Sequence, residues 1–331
     1  MALDRIICRC KRVTMRQGDD NSLAAEMKRE KIAEIEEKVK SEFENKYQVL
    51  KRLGCGGMGC VFHVQSTDES GGDYALKVLD KEAYRKNRLL YKQEANVMLN
   101  LDHPGIPKMI DVTEDDDYLY MVQEFITGKP LSQIIREKGR LEAGKISDFM
   151  KSVASTLSYL HHQGLIHRDI KPDNMILTAD GGITIIDFGL ARKKEQIDEA
   201  DKRVYGTLSY TAPERFNRKP GTVQTDIYGY GAAMYQLCTG KKPENMKTEP
   251  WHSYQVMSEH LSETMPSVAG EIIKKALAVN PRHRYLSFDA ILWDLSHENK
   301  MRTIKDEELI RQAIEVFLIF STLLFIGLIS L

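Results

Sequence analysis

The chain has 331 residues, of which 42% are hydrophobic and 29% charged. That balance suits a folded enzyme of two domains, or one bilobal unit with appendages, and excludes a disordered chain, a collagen, a coiled-coil rod and a multi-span membrane protein. The 47 Lys and Arg against 48 Asp and Glu leave a net charge of -1, which gives no global pull on nucleic acid; the 5 cysteines argue against a disulfide scaffold.

The first residues, Met1 to Val13, are basic, and charges break their apolar run, so they lack the core of a secretory signal. Cys8 and Cys10 have no second Cys/His pair at zinc spacing and read as reduced thiols. From Met27 to Tyr47, Met27, Ile32, Ile35, Val39, Phe43 and Tyr47 fall mostly three or four apart in a highly charged stretch. This predicts a helix with one narrow apolar stripe. About three heptads are short for an independent coiled coil, so docking on the next domain is favoured over pairing with a second copy.

From Tyr47 to about Leu79 the period becomes two. Tyr47–Gly54, Cys60–Ser66 and Tyr74–Asp80 are predicted strands, with a turn-like Ser-Gly-Gly-Asp between the last two. A helix is expected from Ala83 to Leu101, stopped by Asp102-His103-Pro104-Gly105. Tyr118 to Phe125 is another strand. After Gly128 the pattern turns mostly helical: Ile146–His162 is amphipathic, and Thr225–Thr239 is apolar almost all round and so expected to be buried. Ala313 to Leu331 carries one charge, Glu315. Its nineteen residues at ~1.5 Å each reach ~28 Å, close to the ~30 Å hydrocarbon core, which predicts a membrane anchor. Lys300, Arg302, Lys305 and Arg311 lie just upstream and favour a cytoplasmic globular part.

Four segments carry candidate chemistry. Gly54-Cys55-Gly56-Gly57-Met58-Gly59-Cys60-Val61 leads into a strand rather than a helix. That suits a flap whose amides lie over phosphates as well as it suits an ordinary hairpin, and less well a dinucleotide-binding turn. Cys55 and Cys60 flank this turn; loop amides could make a thiol there oxidisable, but with no basic partner nearby, inert space-filling thiols are the favoured reading. Lys77 stands in an apolar strand and needs an anionic partner, for which Glu94 on the following helix is the candidate. His167-Arg168-Asp169-Ile170-Lys171-Pro172-Asp173-Asn174 follows an apolar run; Asp169 can accept a hydroxyl proton, and the amide oxygen of Asn174 can ligate a hard cation. Asp187 ends the β-branched run Ile183–Ile186 ahead of Phe188-Gly189, placed to share that cation.

Together, in this order, and with Ala212-Pro213-Glu214, these segments resemble the eukaryotic-type protein kinase family over about Tyr47 to His297, in a bacterial-like style. The resemblance implies an α+β bilobal fold, with a small β-rich N-lobe holding one helix and a larger helical C-lobe. This chain adds an N-terminal extension at 1–46, a juxtamembrane segment at 300–312 and a transmembrane helix at 313–331 around a kinase domain at 47–299. It further implies that Gly54, Gly56, Gly59 and Val61 cover ATP and that Ala75 helps roof the adenine. Lys77, oriented by Glu94, would hold the α- and β-phosphates. Gln123 would be the gatekeeper, Glu124 to Ile126 the hinge, Asp169 the catalytic base, Lys171 the contact to the γ-phosphate, and Asn174 and Asp187 the Mg²⁺ ligands. Thr225–Gly231 resembles the buried helix that anchors the catalytic loop, and Arg284 the partner of Glu214. Lys171 points to Ser/Thr hydroxyls of protein substrates, the chain's own included. A membrane-anchored pseudokinase scaffold is the alternative, but it would normally lack one of Lys77, Asp169 and Asp187, all present.

The chain departs from the family between Gly189 and Gly206, where Tyr205 is the only hydroxyl and Glu195, Asp198, Glu199 and Asp201 supply carboxylates. A loop carboxylate is therefore expected to neutralise Arg168 in place of a phosphate, with phosphorylation of Thr207, Ser209 or Thr211 as the alternative.

Overall fold

In a computed structural model, the described residues are 30–56, 59–68, 71–81, 98–188, 192–193, 208–244, 246–265 and 267–297, with five positions between 310 and 317. They fall into two units: residues up to Leu101 together with Lys108–Phe125, and Asp102–Pro107 together with the chain from Ile126 onward.

The first unit is built on a sheet whose alternation is visible in the sequence. Strands β1 (Tyr47–Gly56), β2 (Gly59–Ser66), β3 (Asp73–Asp80), β4 (Met109–Glu114) and β5 (Tyr118–Glu124) form one antiparallel sheet in the order β1-β2-β3-β5-β4. Phe62, Val64, Leu76, Val78, Tyr120 and Val122 occupy one face. The helix expected upstream covers that face, over residues 30–43. Its Ile35, Val39 and Phe43 recur every fourth residue and are buried in the same cluster, so the stripe is spent on docking rather than on pairing with a second copy. Burial of each such side chain contributes about 1.5–3 kcal/mol. Polar ties frame the contact: Lys38 Nζ donates to Asp117 at 3.0 Å and pairs with Asp115 at 2.9 Å, and Tyr118 Oη donates to Glu34 at 3.1 Å. Burial pushes the Asp115 carboxyl up, but the hydrogen bonds from Lys38, Tyr118 N–H and Tyr120 Oη outweigh it and hold it at about 2.

The second unit is mainly helical, with helices Leu131–Lys138, Ala143–His162, Pro213–Phe216, Val223–Thr239, Pro250–Thr264, Val268–Ala276 and Phe288–Ser296. Val223–Thr239 is buried along most of its length, as its apolar circumference requires. A capping box between Thr222 and Thr225 starts it, and Gly240 in the left-handed region (φ 73°) ends it. The unit also holds short ribbons, of which the β-branched run before Asp187 is the part expected from sequence: β6 (Gly128–Pro130), β8 (Met175–Thr178) and β9 (Ile183–Ile185) form one, and β7 (Leu165–Ile166) with β10 (Arg192–Lys193) the other. Strands of two to four residues are too short for a period-two pattern to show.

Among the described residues no helix is long and apolar enough to cross a membrane. Residues 318–331, most of the expected anchor, lie outside the described residues, as do Cys8 and Cys10.

Candidate active site

The sheet of the first unit has a second face, opposite the covered one. Cross-strand partners share a face, and in this register Val61 lies opposite Lys77, and Lys77 opposite Met121; one step along, His63 lies opposite Ala75, and Ala75 opposite Gln123. Val61, Ala75 and Lys77, predicted to meet one nucleotide, thus stand side by side on one surface. Gly54 pairs with Val61 and Gly56 with Gly59 at the end of the β1–β2 hairpin. Gly59 has φ +144°, and a Cβ there would run into the carbonyl of Val78, so the turn needs glycine at this point.

On the same face, His63 makes an arrangement not foreseen from sequence. Its ring stacks on Phe125 with centroids 3.8 Å apart and planes at 8°. His63 Nε2 lies 2.9 Å from an Asp73 carboxylate oxygen, while the Asp73 carbonyl accepts the Phe125 N–H at 3.4 Å. The Glu124 N–H donates to the Lys108 carbonyl at 2.9 Å. Asp73 and His63 therefore hold Phe125, the last residue of the first unit; the predicted hinge residue Ile126 is the first of the stretch that continues the second.

In the second unit the catalytic-loop candidates come together. Lys171 Nζ lies 2.6 Å from Asp169 Oδ2. Asn174 Nδ2 donates to the Asp169 carbonyl at 2.9 Å and to Oδ2 at 3.1 Å, which turns its amide oxygen away from that carboxylate. Pairing of Met175 with Ile185, continued by Ile186 N–H to the Asn174 carbonyl at 3.0 Å, carries Asp187 to the end of the ribbon that begins beside Asn174. Two hard oxygen donors on adjoining chain ends suit a Mg²⁺ that completes its shell with phosphate and water; no cluster of three or more His, Cys, Asp or Glu ligands occurs among the described residues.

What shapes this loop is a buried carboxylate. Asp226, in the helix Val223–Thr239, accepts the His167 N–H at 2.7 Å and the Arg168 N–H at 2.8 Å, and lies 2.8 Å from His161 Nε2. Burial pushes the Asp226 carboxyl up, but the His161 contact and the amide bonds win and hold it low, so it stays charged. These bonds keep Arg168 at φ 69°, a conformation that costs a non-glycine residue about 1–3 kcal/mol. The Arg168 side chain lies over Gly221, where a Cβ would come within 2.6 Å of its Cδ. His167 is buried and burial lowers its pKa, against Asp226, Asp169 and Asp187. The ring is therefore neutral, with Nδ1 taking the Asp169 N–H at 3.3 Å and Nε2 without a partner among the described residues. A lone acid in an apolar helix is the sequence signal for Asp226; His161 carries none.

Arg284 spends all five of its N–H donors: two on Glu214, at 2.7 and 2.9 Å, and three on the carbonyls of Ala278, Gln224 and Val279. The expected partnership with Glu214 is present, and Tyr228 lies beneath the guanidinium at 5.0 Å. One expectation is overturned: Cys55 and Cys60 are not separate thiols but are joined in a disulfide, because the hairpin register sets them directly opposite. Glu94, and so its pairing with Lys77, lies outside the described residues, as do 194–207 with the carboxylates expected to neutralise Arg168.

A family model described as protein kinase domain matches residues 47–294. A probable serine/threonine-protein kinase of Clostridium acetobutylicum is 30% identical over 276 residues, covering 81% of this chain and 42% of that protein. The serine/threonine-protein kinase PrkC of Bacillus subtilis is 28% identical over 291 residues, 82% of this chain and 44% of its own length. The 3-phosphoinositide-dependent protein kinase 1 of Arabidopsis thaliana is 34% identical over 257 residues, 72% of this chain and 51% of its own. The chain spans about half or less of these relatives. With the glycine turn, the strand lysine, the Asp169 loop and the Glu214–Arg284 pair in one order, and three quarters of its length matched, the chain belongs to the protein kinase family.

Proposed function

We propose that the protein transfers the terminal phosphate of ATP to Ser or Thr hydroxyls of protein substrates, itself included. The observation that carries this reading is the Asp169–Lys171–Asn174 cluster. Its described contacts to the carboxylate all fall on Oδ2, and we assign Oδ1 to the acceptor hydroxyl. Asp169 orients that hydroxyl and takes its proton as the oxygen–phosphorus bond forms. Lys171, which here steadies Asp169, offsets negative charge on the moving phosphoryl group. Lys77, oriented by Glu94, and the amides of the 54–59 turn hold the remaining phosphates; Val61 and Ala75 border the adenine, and Glu124 and Ile126 supply the hinge. Asn174 and Asp187 would hold Mg²⁺, which neutralises phosphate charge when bound.

A pseudokinase scaffold would normally lack one of Lys77, Asp169 and Asp187, and the presence of all three favours the active reading. Labelled-ATP transfer with phosphoamino-acid analysis tests it. The wild type should label Ser or Thr; Lys77→Met and Asp169→Asn should lose about 10²–10⁴-fold in rate. Equal labelling by all three would refute the assignment.

Two further parts belong to the same proposal. Residues 313–331 anchor the protein in a membrane with the kinase domain in the cytoplasm, supported by their length, apolarity and upstream basic residues; membrane fractionation with and without the tail tests this. The loop at 189–206 sustains activity without a Ser/Thr phosphate, supported by its four carboxylates; phosphopeptide mapping of active protein tests that.

A further inference from the structure

Cys55 and Cys60 bracket the glycine turn that the proposed function sets over phosphates. They are direct partners in the β1–β2 register, with Cα atoms 4.1 Å apart, and their sulfurs are bonded. Only the Gly56–Gly59 rung lies between this link and the tip. Alternation along β2 puts Cys60 on the face of Phe62 and Val64, under the helix at 30–43, and opposite the face of Val61 and Lys77. Cys60 is only 2% exposed and Cys55 is half-buried at the edge of the same cluster. The link therefore ties the two arms of the turn together from behind, without occupying the surface where phosphates would lie.

We propose that this pair is a reversible redox modification site that sets the stiffness of the turn and, through it, the affinity for nucleotide. The second half rests on the reading of the turn as a phosphate flap. Four of the six residues from 54 to 59 are glycine. Such a segment loses much backbone freedom when a ligand orders it. A cross-link one rung from the tip removes part of that freedom beforehand, so the oxidised form binds nucleotide more tightly. Reduction does not dismantle the hairpin, because the Cys60 thiol remains a small apolar group in its pocket.

The chemistry is thiol–disulfide exchange. A small dithiol attacks as its thiolate at the more accessible Cys55 sulfur; the bond to Cys60 breaks, and Cys60 leaves as a thiolate that takes a proton. The second thiol of the reagent then attacks the mixed disulfide and frees Cys55. The protein gains two electrons and two protons, and the reagent closes to a cyclic disulfide. Glutathione disulfide, or another small disulfide, runs the sequence in reverse and is reduced to two thiols. Cys238 takes no part: it is buried, and burial pushes its thiol up to about 12.

The test uses the full chain equilibrated with glutathione disulfide or with a dithiol, then alkylated. Both cysteines fall in one tryptic peptide, Leu53–Lys77. After oxidation that peptide should be unalkylated and two hydrogens lighter than the dithiol form; after reduction it should carry two alkyl groups. Amide exchange at 54–61 without nucleotide should quicken on reduction. Affinity for a non-hydrolysable ATP analogue with Mg²⁺ should weaken by roughly 3–10-fold, as loss of pre-organisation would require. Cys55→Ser, which leaves Cys60 in its pocket, should match the reduced wild type in both redox states; its thermal unfolding serves as the fold control. Thiols that stay unlinked in glutathione disulfide, or exchange and affinity that do not change with redox state, overturn the proposal. Faster exchange on reduction with no nucleotide bound in either state refutes the affinity half through the phosphate-flap reading itself, while the redox lock stands.

Discussion

The two units place their candidate groups by different means. In the strand-rich unit, Val61, Ala75 and Lys77 share a surface because antiparallel pairing and alternation leave no other arrangement once the opposite face is buried under the helix at 30–43. In the helix-rich unit, Asp169 and its neighbours occupy an irregular loop, held by a charged side chain from a distant helix and by an arginine in a left-handed conformation. The first unit positions by apolar packing, the second by a polar network, so the two should fail differently.

The largest effects come from one substitution in each unit. Glu214→Ala leaves the Arg284 guanidinium buried without its carboxylate and should cost about 3–5 kcal/mol. Phe43→Ala opens a cavity between helix and sheet, and about 3–5 kcal/mol is expected there too. Amide exchange separates them: the first should quicken opening around Val223–Thr239 and leave β2 and β3 protected, and the second should do the reverse. Exchange that rises everywhere in both variants would erase the contrast.

Asp226→Asn comes next. The amide cannot accept both backbone N–H groups as the carboxylate does, and Arg168 loses its hold on φ 69°. Transfer rate should fall about 10²-fold through misplacement of Asp169, with nucleotide affinity little changed. A matching loss of affinity would show that the network does more than aim the loop.

The same network predicts an acid weakness. Burial keeps the His167 ring from taking a proton that the unfolded chain accepts below about pH 6.5. The unfolded state then binds more protons, so stability should fall as pH drops from about 6.5 toward the lower folded value, by up to about 1.4 kcal/mol per pH unit for this group. Burial lowers His103 and His260 as well, which adds in the same direction. Urea titrations across this range should show the slope, and His167→Gln should flatten it.

The smallest effect tests the hinge. His63→Ala removes the ring stacked on Phe125, worth about 0.5–1.5 kcal/mol. KM for ATP should rise a few-fold with kcat held, and His63→Phe, which keeps the stack, should restore it. A fall in kcat alone would place His63 outside nucleotide binding.

How much of this could be read from the sequence follows the same division. The stripe of Ile35, Val39 and Phe43 and the alternation of β2 and β3 are local, so period alone exposes them. The Glu214–Arg284 pair was accessible only through the family's motif order. That the helix holding Asp226 anchors the catalytic loop was likewise accessible only through the family, since its bond from Arg168 spans 58 residues of sequence, and the left-handed backbone at Arg168 leaves no mark on residue type. The cysteine bond escaped because it depends on hairpin register: a one-residue slip would have left Cys55 and Cys60 apart.

The proposed activity stands or falls with where ATP binds. A crystal structure with a non-hydrolysable ATP analogue and Mg²⁺ decides it. Lys77, Asn174 and Asp187 should surround its triphosphate, with Asp169 facing the terminal phosphate. Nucleotide bound elsewhere, or those four side chains lying away from it, would refute the proposed function.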